Sequence, residues 1–205
     1  MHRKTLIQTG ILALLSVVSF NVAARDTDNG FDLGDSLIPR DEIHLGGPPR
    51  DGIPSIDEPR FVSADAATFL RDDDRILGIV QHGQARAYPI AILNWHEVVN
   101  DRIGDSPVAI TYCPLCGTGV AFGAGSAAAP RSFGVSGLLY NSDVLLYDRE
   151  TESLWSQLMM QAVSGPLRGE RLTPLPFFYS YGDHRHKHHS PTRLSSDLAT
   201  DNGEV

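Results

Sequence analysis

Two cysteines separated by two residues are the sequence feature best suited to chemistry. Cys113 and Cys116 are the only cysteines among the 205 residues, and they lie in the stretch Thr-Tyr-Cys-Pro-Leu-Cys-Gly-Thr. Thiolates at this spacing bind soft metal ions, exchange with disulfides, or close a small disulfide ring. The spacing alone leaves these three uses open.

A metal site at this pair needs further ligands. The segment that carries His96 leads directly into the cysteine strand, so this imidazole is the natural third ligand beside Cys113 and Cys116. Glu97 and Tyr112 are placed to support the ligands through hydrogen bonds. We therefore predict a copper or zinc site. The plainer role for His96 is that of a half-buried helix residue bonded to a carbonyl group.

Two other uses of the cysteine pair remain open at this point. A thiol-disulfide oxidoreductase lowers the pKa of its first cysteine at a helix N-terminus, whereas Gly117, Thr118 and Gly119 argue against a helix after Cys116. The βαβ context of thioredoxin-like proteins is also absent. In a non-catalytic binding module, a structural disulfide between Cys113 and Cys116 would clip the hairpin, with a modest effect on stability because its ring is small.

A second set of polar and aromatic residues is expected to line a pocket. Arginine beside tyrosine and tryptophan suits an anionic or planar ligand. Taken singly, such residues more often belong to turns or to the core. The set is Arg86, Tyr88, Tyr140, Asn141, Asp148, Arg149 and Trp155.

The segments around the cysteines predict strand, loop and strand. Apolar residues at 108–112 and 120–122 flank the Pro/Gly-containing loop. Further short strands between turn residues predict a mostly β (α+β) fold, a single compact domain of short antiparallel strands, barrel-like or a sandwich. Two short helices are expected, at 63–70 with Ser63 as cap and at 90–99.

The ends of the chain have a different composition from its middle. A basic leader, an apolar stretch and small residues before Ala24 are typical of a secretory signal peptide at 1–24. This predicts a periplasmic or secreted protein with no stable transmembrane segment after cleavage. An extended polar lead-in is expected at 25–50 and a β-rich domain at 51–176. The histidine-rich polar tail at 177–205 has a composition that permits disorder.

Charge and glycine pattern narrow the classes of ligand. The formal net charge is −8, and no basic face is evident, which argues against nucleic acid as a partner. No phosphate-cradling glycine loop is present, so no nucleotide cofactor is indicated. The partner itself is not identified by the sequence.

Six sequence blocks, in order, resemble the exported bacterial and archaeal proteins grouped as domain of unknown function 3179. The resemblance runs from Asp51 to Leu175 and implies that the blocks form one domain, but it implies no reaction or substrate. The chain departs from the family's pattern at 179–191, where members usually carry a tryptophan-bearing segment and a His-Pro pair. The blocks are residues 51–54, 85–89, 95–101, 111–118, 136–142 and 148–157.

Overall fold

The computed structural model describes residues 27–182 and 192–195, and the fold is mostly β. Among these residues a single α-helix, α1, spans Ile90–His96, and 3₁₀ turns occupy Arg40–Glu42 and Ala64–Ala66. The first nine strands are β1 (Thr27–Asp28), β2 (Phe31–Asp32), β3 (Ile43–Leu45), β4 (Phe61–Ser63), β5 (Arg75–Gln81), β6 (Gln84–Pro89), β7 (Val98–Ile103), β8 (Ser106–Cys113) and β9 (Thr118–Gly123). The remaining strands are β10 (Gly125–Ser126), β11 (Ala129–Pro130), β12 (Phe133–Tyr140), β13 (Asp143–Asp148), β14 (Leu154–Ser156), β15 (Gln161–Ser164), β16 (Thr173–Pro174), β17 (Phe177–Tyr181) and β18 (Thr192–Ser195).

Most of the strands form three sheets. The first sheet has the order β15-β14-β13-β12-β3, the central sheet β16-β9-β8-β7, and the third sheet β17-β5-β6-β18-β4. The ribbons β1-β2 and β10-β11 are separate. Pairing is antiparallel except between β18 and β6. Each sheet ends in two edge strands, so the described pairings do not close a barrel.

The central sheet lies between the other two, as strand β8 shows. Val108, Ile110 and Tyr112 belong to one core cluster with residues of β5 and β6 in the third sheet. Ala109 and Cys113 belong to another, with residues of β12 and β13 in the first sheet. Side chains alternate between the faces of a strand, so a strand buried on both faces has an almost continuous apolar sequence. Because Cys113 packs with residues of β12 and β13, its side chain faces the first sheet.

The structure corrects the first expected helix. Ser63 is the last residue of β4, and only the 3₁₀ turn at Ala64–Ala66 follows it. β4 pairs with β18 at the edge of the third sheet. The cap-like sequence is too short to offset the cost of helix nucleation, whereas strand pairing gives Phe61–Ser63 backbone partners.

The second expected helix is shorter than predicted. Helix α1 ends at His96, and Glu97 adopts a left-handed backbone conformation with φ of 55°. Val98 and Val99 then pair with Thr111 and Ile110 of β8. β-branched residues suit this pairing better than a further helical turn.

The sheets extend beyond both ends of the β-rich domain expected at 51–176. Ile43–Leu45 pairs with β12, and Phe177–Tyr181 pairs with residues 75–79 of β5. Segments of the expected lead-in and tail thus contribute strands. The expected signal peptide at 1–24 and the histidine cluster at 184–189 lie outside the described residues.

No helix within residues 27–182 and 192–195 has the length and apolar character needed to cross a lipid bilayer.

Candidate functional site

The hairpin of β8 and β9 carries both cysteines at its tip. Cys113 ends β8, and the amide of Gly117 donates a hydrogen bond to its carbonyl oxygen at 2.8 Å. Gly117 has a φ of 68°, which favours glycine at this turn. The loop folds the Cys116 sulfur to 3.9 Å from the Cys113 carbonyl oxygen. Both cysteines are free thiols, and Cys113 is buried while Cys116 is exposed.

A second hairpin brings an acidic residue to the same place. β12 and β13 are joined through Asn141 and Ser142, which have φ values of 51° and 61°. Two successive left-handed residues give a tight turn whose twist matches that of paired strands. Asp143, the first residue of β13, is only 2% exposed. The turn therefore places a buried carboxylate at the tip of the hairpin.

The tips of the two hairpins meet through these side chains. The Cys116 sulfur lies 3.3 Å from Oδ1 of Asp143, and the Cys113 sulfur lies 3.8 Å from the carbonyl oxygen of Ser142. The amide of Leu158 donates to Oδ2 of Asp143 at 3.3 Å. One donor atom from each of Cys113, Cys116 and Asp143 lies within 4.8 Å of the other two. These three residues form a group that could hold a metal ion.

The acidic groups at this site have no basic partner in the part of the chain that the structure describes. Burial raises the pKa of the Cys113 thiol to about 12. Burial also raises the pKa of Asp143, although hydrogen bonds from Cys116 and Leu158 oppose the shift. The pKa of Glu97 rises to about 7 because of its burial and the negative charge of Asp143. Neither carboxylate forms an ion pair with a described residue, so a bound cation would stabilise both.

Glu97 reaches this position through its backbone conformation. Its amide donates to the carbonyl of Leu93 at 2.8 Å, and its carbonyl accepts from the amide of Tyr112 at 2.8 Å. A left-handed conformation costs energy for a residue other than glycine, and such strain is common at functional sites. The conformation ends α1 and starts β7 with the Glu97 carboxylate within electrostatic range of Asp143.

The structure does not bring His96 into the group of three donors. The ring Nδ1 of His96 lies 2.7 Å from the carbonyl oxygen of Pro54. A carbonyl oxygen can only accept, so Nδ1 carries a proton, and in the neutral ring Nε2 then carries a lone pair. This Nε2 is buried and has no hydrogen-bond partner among the described residues.

Tyr112 lies on the other side of the central sheet from Cys113. Its side chain packs in the core cluster with Leu77 and Tyr88. The alternation of β8 accounts for this, because neighbouring residues of a strand face opposite ways. Its link to Glu97 is the hydrogen bond from its backbone amide to the Glu97 carbonyl.

The residues expected to line one pocket are distributed over several places. Tyr140 and Asn141 are in the β12–β13 hairpin, next to Asp143. Trp155 is fully buried, and its indole NH donates to Asp148 at 2.8 Å.

The other three residues of the set belong to networks of arginine and aspartate. The Arg149 guanidinium donates to Asp57 at 3.0 Å. Tyr88 donates to Asp101 at 2.6 Å, and Arg86 forms an ion pair with the same carboxylate. One of the seven predicted residues, Arg86, lines a cleft of about 600 Å³ that lies beside β6 and β7.

Sequence analysis missed Asp143. Aspartate after Asn-Ser is ordinary turn composition, so the local pattern gives no reason to select it. The available signal is the buried strand that begins at this residue, since an acidic residue in a strand buried along its whole length needs a partner.

Comparisons with known proteins identify a family but no better characterised relative. No curated protein matches the chain, and no solved structure matches it. A family model described as "Protein of unknown function (DUF3179)" matches residues 50–202. This match covers most of the chain and confirms the resemblance found in the sequence. The protein belongs to the DUF3179 family.

Proposed function

We propose that this protein binds one transition-metal ion between the tips of the β8–β9 and β12–β13 hairpins. The observation that carries the proposal is the group of Cys113, Cys116 and Asp143, whose donor atoms lie within 4.8 Å of one another. Two thiolates with a third donor make a set that suits a soft or borderline ion. The raised pKa values of Cys113 and Asp143 support it, because a cation would offset what burial costs these anions.

Zinc fits this donor set better than copper. Both Zn(II) and Cu(I) bind thiolates, but Cu(I) prefers sulfur throughout, whereas zinc also accepts carboxylate oxygen and imidazole nitrogen. Asp143 supplies such an oxygen. We therefore assign zinc as the preferred ion and Cu(I) as the weaker competitor.

His96 is proposed as the fourth ligand. Metal-binding histidines usually donate their other ring NH to a carbonyl or carboxylate, which fixes the tautomer. The bond from Nδ1 to Pro54 matches this arrangement and leaves the buried Nε2 without a partner. Because the ring lies outside the group of three donors, its binding requires a local shift of the end of α1. Without that shift, the metal keeps an open position for water or an exchanging ligand.

The electrostatics favour metal binding over the two other uses of the cysteine pair. A catalytic thiol needs a lowered pKa, whereas burial raises the pKa of Cys113 to about 12. Both cysteines are free thiols in this fold, which leaves their sulfur atoms available as metal ligands. In an oxidising exported compartment, a bound metal would protect the pair from oxidation.

The test is metal binding by purified, reduced protein under anaerobic conditions. We expect about one zinc ion per chain, measured by competition with a coloured chelator. The double variant Cys113→Ser/Cys116→Ser should lose at least about 1000-fold in affinity, because two thiolate ligands are removed.

The matched control for this experiment is His82→Gln. His82 bonds to Ser106 at 3.1 Å and lies outside the donor group, so its variant should bind zinc normally. If the double cysteine variant binds zinc as tightly as the unchanged protein, the proposal is wrong.

A further inference from the structure

A cleft of about 600 Å³ lies beside β6 and β7. Neither α1 nor the proposed metal ligands Cys113, Cys116 and Asp143, called the metal group below, contribute to its lining. Its volume is in the range of small-molecule sites. Its walls combine three arginines, Arg86, Arg102 and Arg131, with apolar surface from Phe61 and nearby prolines. This composition differs from that of the metal group and points to a different ligand.

Arg86 is the most constrained of the three arginines. Its guanidinium lies over the ring of Phe61, 4.6 Å from the ring centre, and forms an ion pair with Asp101. Its Nε atom is buried and has no hydrogen-bond partner among the described residues. A buried donor without an acceptor is costly, so its persistence needs an explanation. An acceptor atom from a ligand would supply one, provided that a small shift of the Arg86 side chain opens this Nε to the cleft.

Two of the three acidic residues that line the cleft already accept hydrogen bonds from neighbouring side chains or amides. Asp101 accepts from the hydroxyl of Tyr88 and from the amide of Arg102, each at 2.6 Å. Asp57 accepts from Asn100 at 2.8 Å and from the guanidinium of Arg149 at 3.0 Å. The third acidic residue of the lining is Glu58, whose side chain is exposed to solvent.

The other two arginines retain capacity to donate. Arg102 is exposed and donates to the backbone carbonyl of Asp105 at 3.2 Å, with no carboxylate partner among the described residues. Arg131 is held over the ring of Trp155 and pairs with Glu170 at 2.7 Å. The cleft therefore offers unfilled guanidinium donors, while most of its acceptors are satisfied.

We propose that this cleft binds the carboxylate group of a small organic anion. Guanidinium groups recognise the planar carboxylate through paired hydrogen bonds. Phe61 and the prolines would contact the carbon body of the ligand, which a bare inorganic anion lacks. The site is independent of the metal group and does not depend on the function proposed for it.

The test is calorimetric titration of the full chain with three probes: benzoate, its neutral analogue benzamide, and inorganic phosphate. Benzoate should bind at least about tenfold more tightly than either of the others, since only benzoate combines a carboxylate with an apolar body. Arg102→Gln should weaken benzoate binding about tenfold through loss of a charged donor.

Two further variants sharpen the test. Arg86→Lys keeps the positive charge beside Asp101 but removes the Nε donor, and it should also weaken benzoate binding about tenfold. Arg168→Gln is the control, because Arg168 pairs with Asp35 at 3.1 Å and does not line the cleft. If Arg86→Lys fails to fold, Arg102→Gln decides alone. The proposal is overturned if benzoate does not bind, if benzamide or phosphate binds as tightly, or if Arg102→Gln has no effect.

Discussion

Carboxylates gather in two regions of this molecule, and the two regions differ in whether a basic side chain pairs with them. The first region lies beside β7, the edge strand of the central sheet. There Arg149 pairs with Asp57, and Arg86 pairs with Asp101. At the meeting point of the two hairpin tips, Asp143 has no arginine partner among the described residues. In the first region each of these two carboxylates has an arginine partner, whereas the second gathers anionic groups without a cation among the described residues.

The pKa shifts show the same difference. Burial pushes the pKa of Asp57 upward, but hydrogen bonds from Asn100, Arg149 and Ser55 outweigh it, so the pKa lies below its ordinary value. At the hairpin tips, burial raises the pKa of Asp143, and nothing reverses it. The metal ion proposed above, held by Cys113, Cys116 and Asp143, would offset this cost of burial.

The largest effect that would sharpen this comparison is the pH dependence of zinc binding. Zinc binds thiolates, and burial holds the pKa of Cys113 near 12, so binding must release at least one proton. The affinity should then rise at least about tenfold per pH unit, or about 100-fold between pH 6 and pH 8. Chelator competition at several pH values measures this. An affinity that is constant over the range would contradict the thiol site.

A paired set of variants tests the two regions directly. Asp143→Asn should reduce zinc affinity by about 10- to 100-fold, as a charged ligand becomes neutral. It should change the unfolding free energy of the metal-free protein by less than about 1 kcal/mol, because the lost hydrogen bond and the removed buried charge offset each other. Asp57→Asn should leave zinc affinity unchanged but destabilise the fold by about 1 kcal/mol, through its weakened bond to Arg149.

Chemical denaturation and zinc competition on both variants provide the measurement. If Asp57→Asn lowers zinc affinity as much as Asp143→Asn does, the distinction between the regions fails.

The last prediction concerns the pKa of Glu97. Its pKa is about 7 in the folded protein against 4.5 ordinarily, because of burial and the charge of Asp143. The folded state therefore holds more protons than the unfolded state between these values, and metal-free stability falls as pH rises from about 4.5 to about 7. Glu97→Gln removes this loss. At pH 8 the variant should be more stable by about 1–2 kcal/mol, after allowance for partial exposure to solvent.

Urea denaturation of Glu97→Gln at pH 4 and pH 8 measures this effect. At pH 4 both proteins carry a neutral side chain, so their stabilities should agree. A gain of equal size at the two pH values would assign the effect to packing instead of charge.

Sequence reasoning works well where the pattern is local. The cysteine hairpin follows from two apolar segments around a Pro/Gly loop, and β8 and β9 occupy those segments. The strands β5 and β6 likewise flank the turn at His82 and Gly83. In these hairpins the residues that pair are close in the chain, so turn chemistry and strand propensity determine the result.

The parts that sequence reasoning missed depend on contacts across the fold. Asp143 meets Cys116 only because two hairpins pack tip to tip, and nothing in the residues around Asp143 reports that contact. The Ser63 segment has helix-like composition, but pairing with β18, more than a hundred residues later, makes it a strand instead. Local preferences of this size are readily overridden by tertiary pairing.

The most direct test of the account is X-ray absorption spectroscopy of the zinc-loaded protein. We predict a first coordination shell with two sulfur atoms at about 2.3 Å and oxygen or nitrogen atoms at about 2.0–2.1 Å, supplied by Cys113, Cys116 and Asp143 with His96. Zinc bound through oxygen and nitrogen alone, with no sulfur in the shell, would contradict the account.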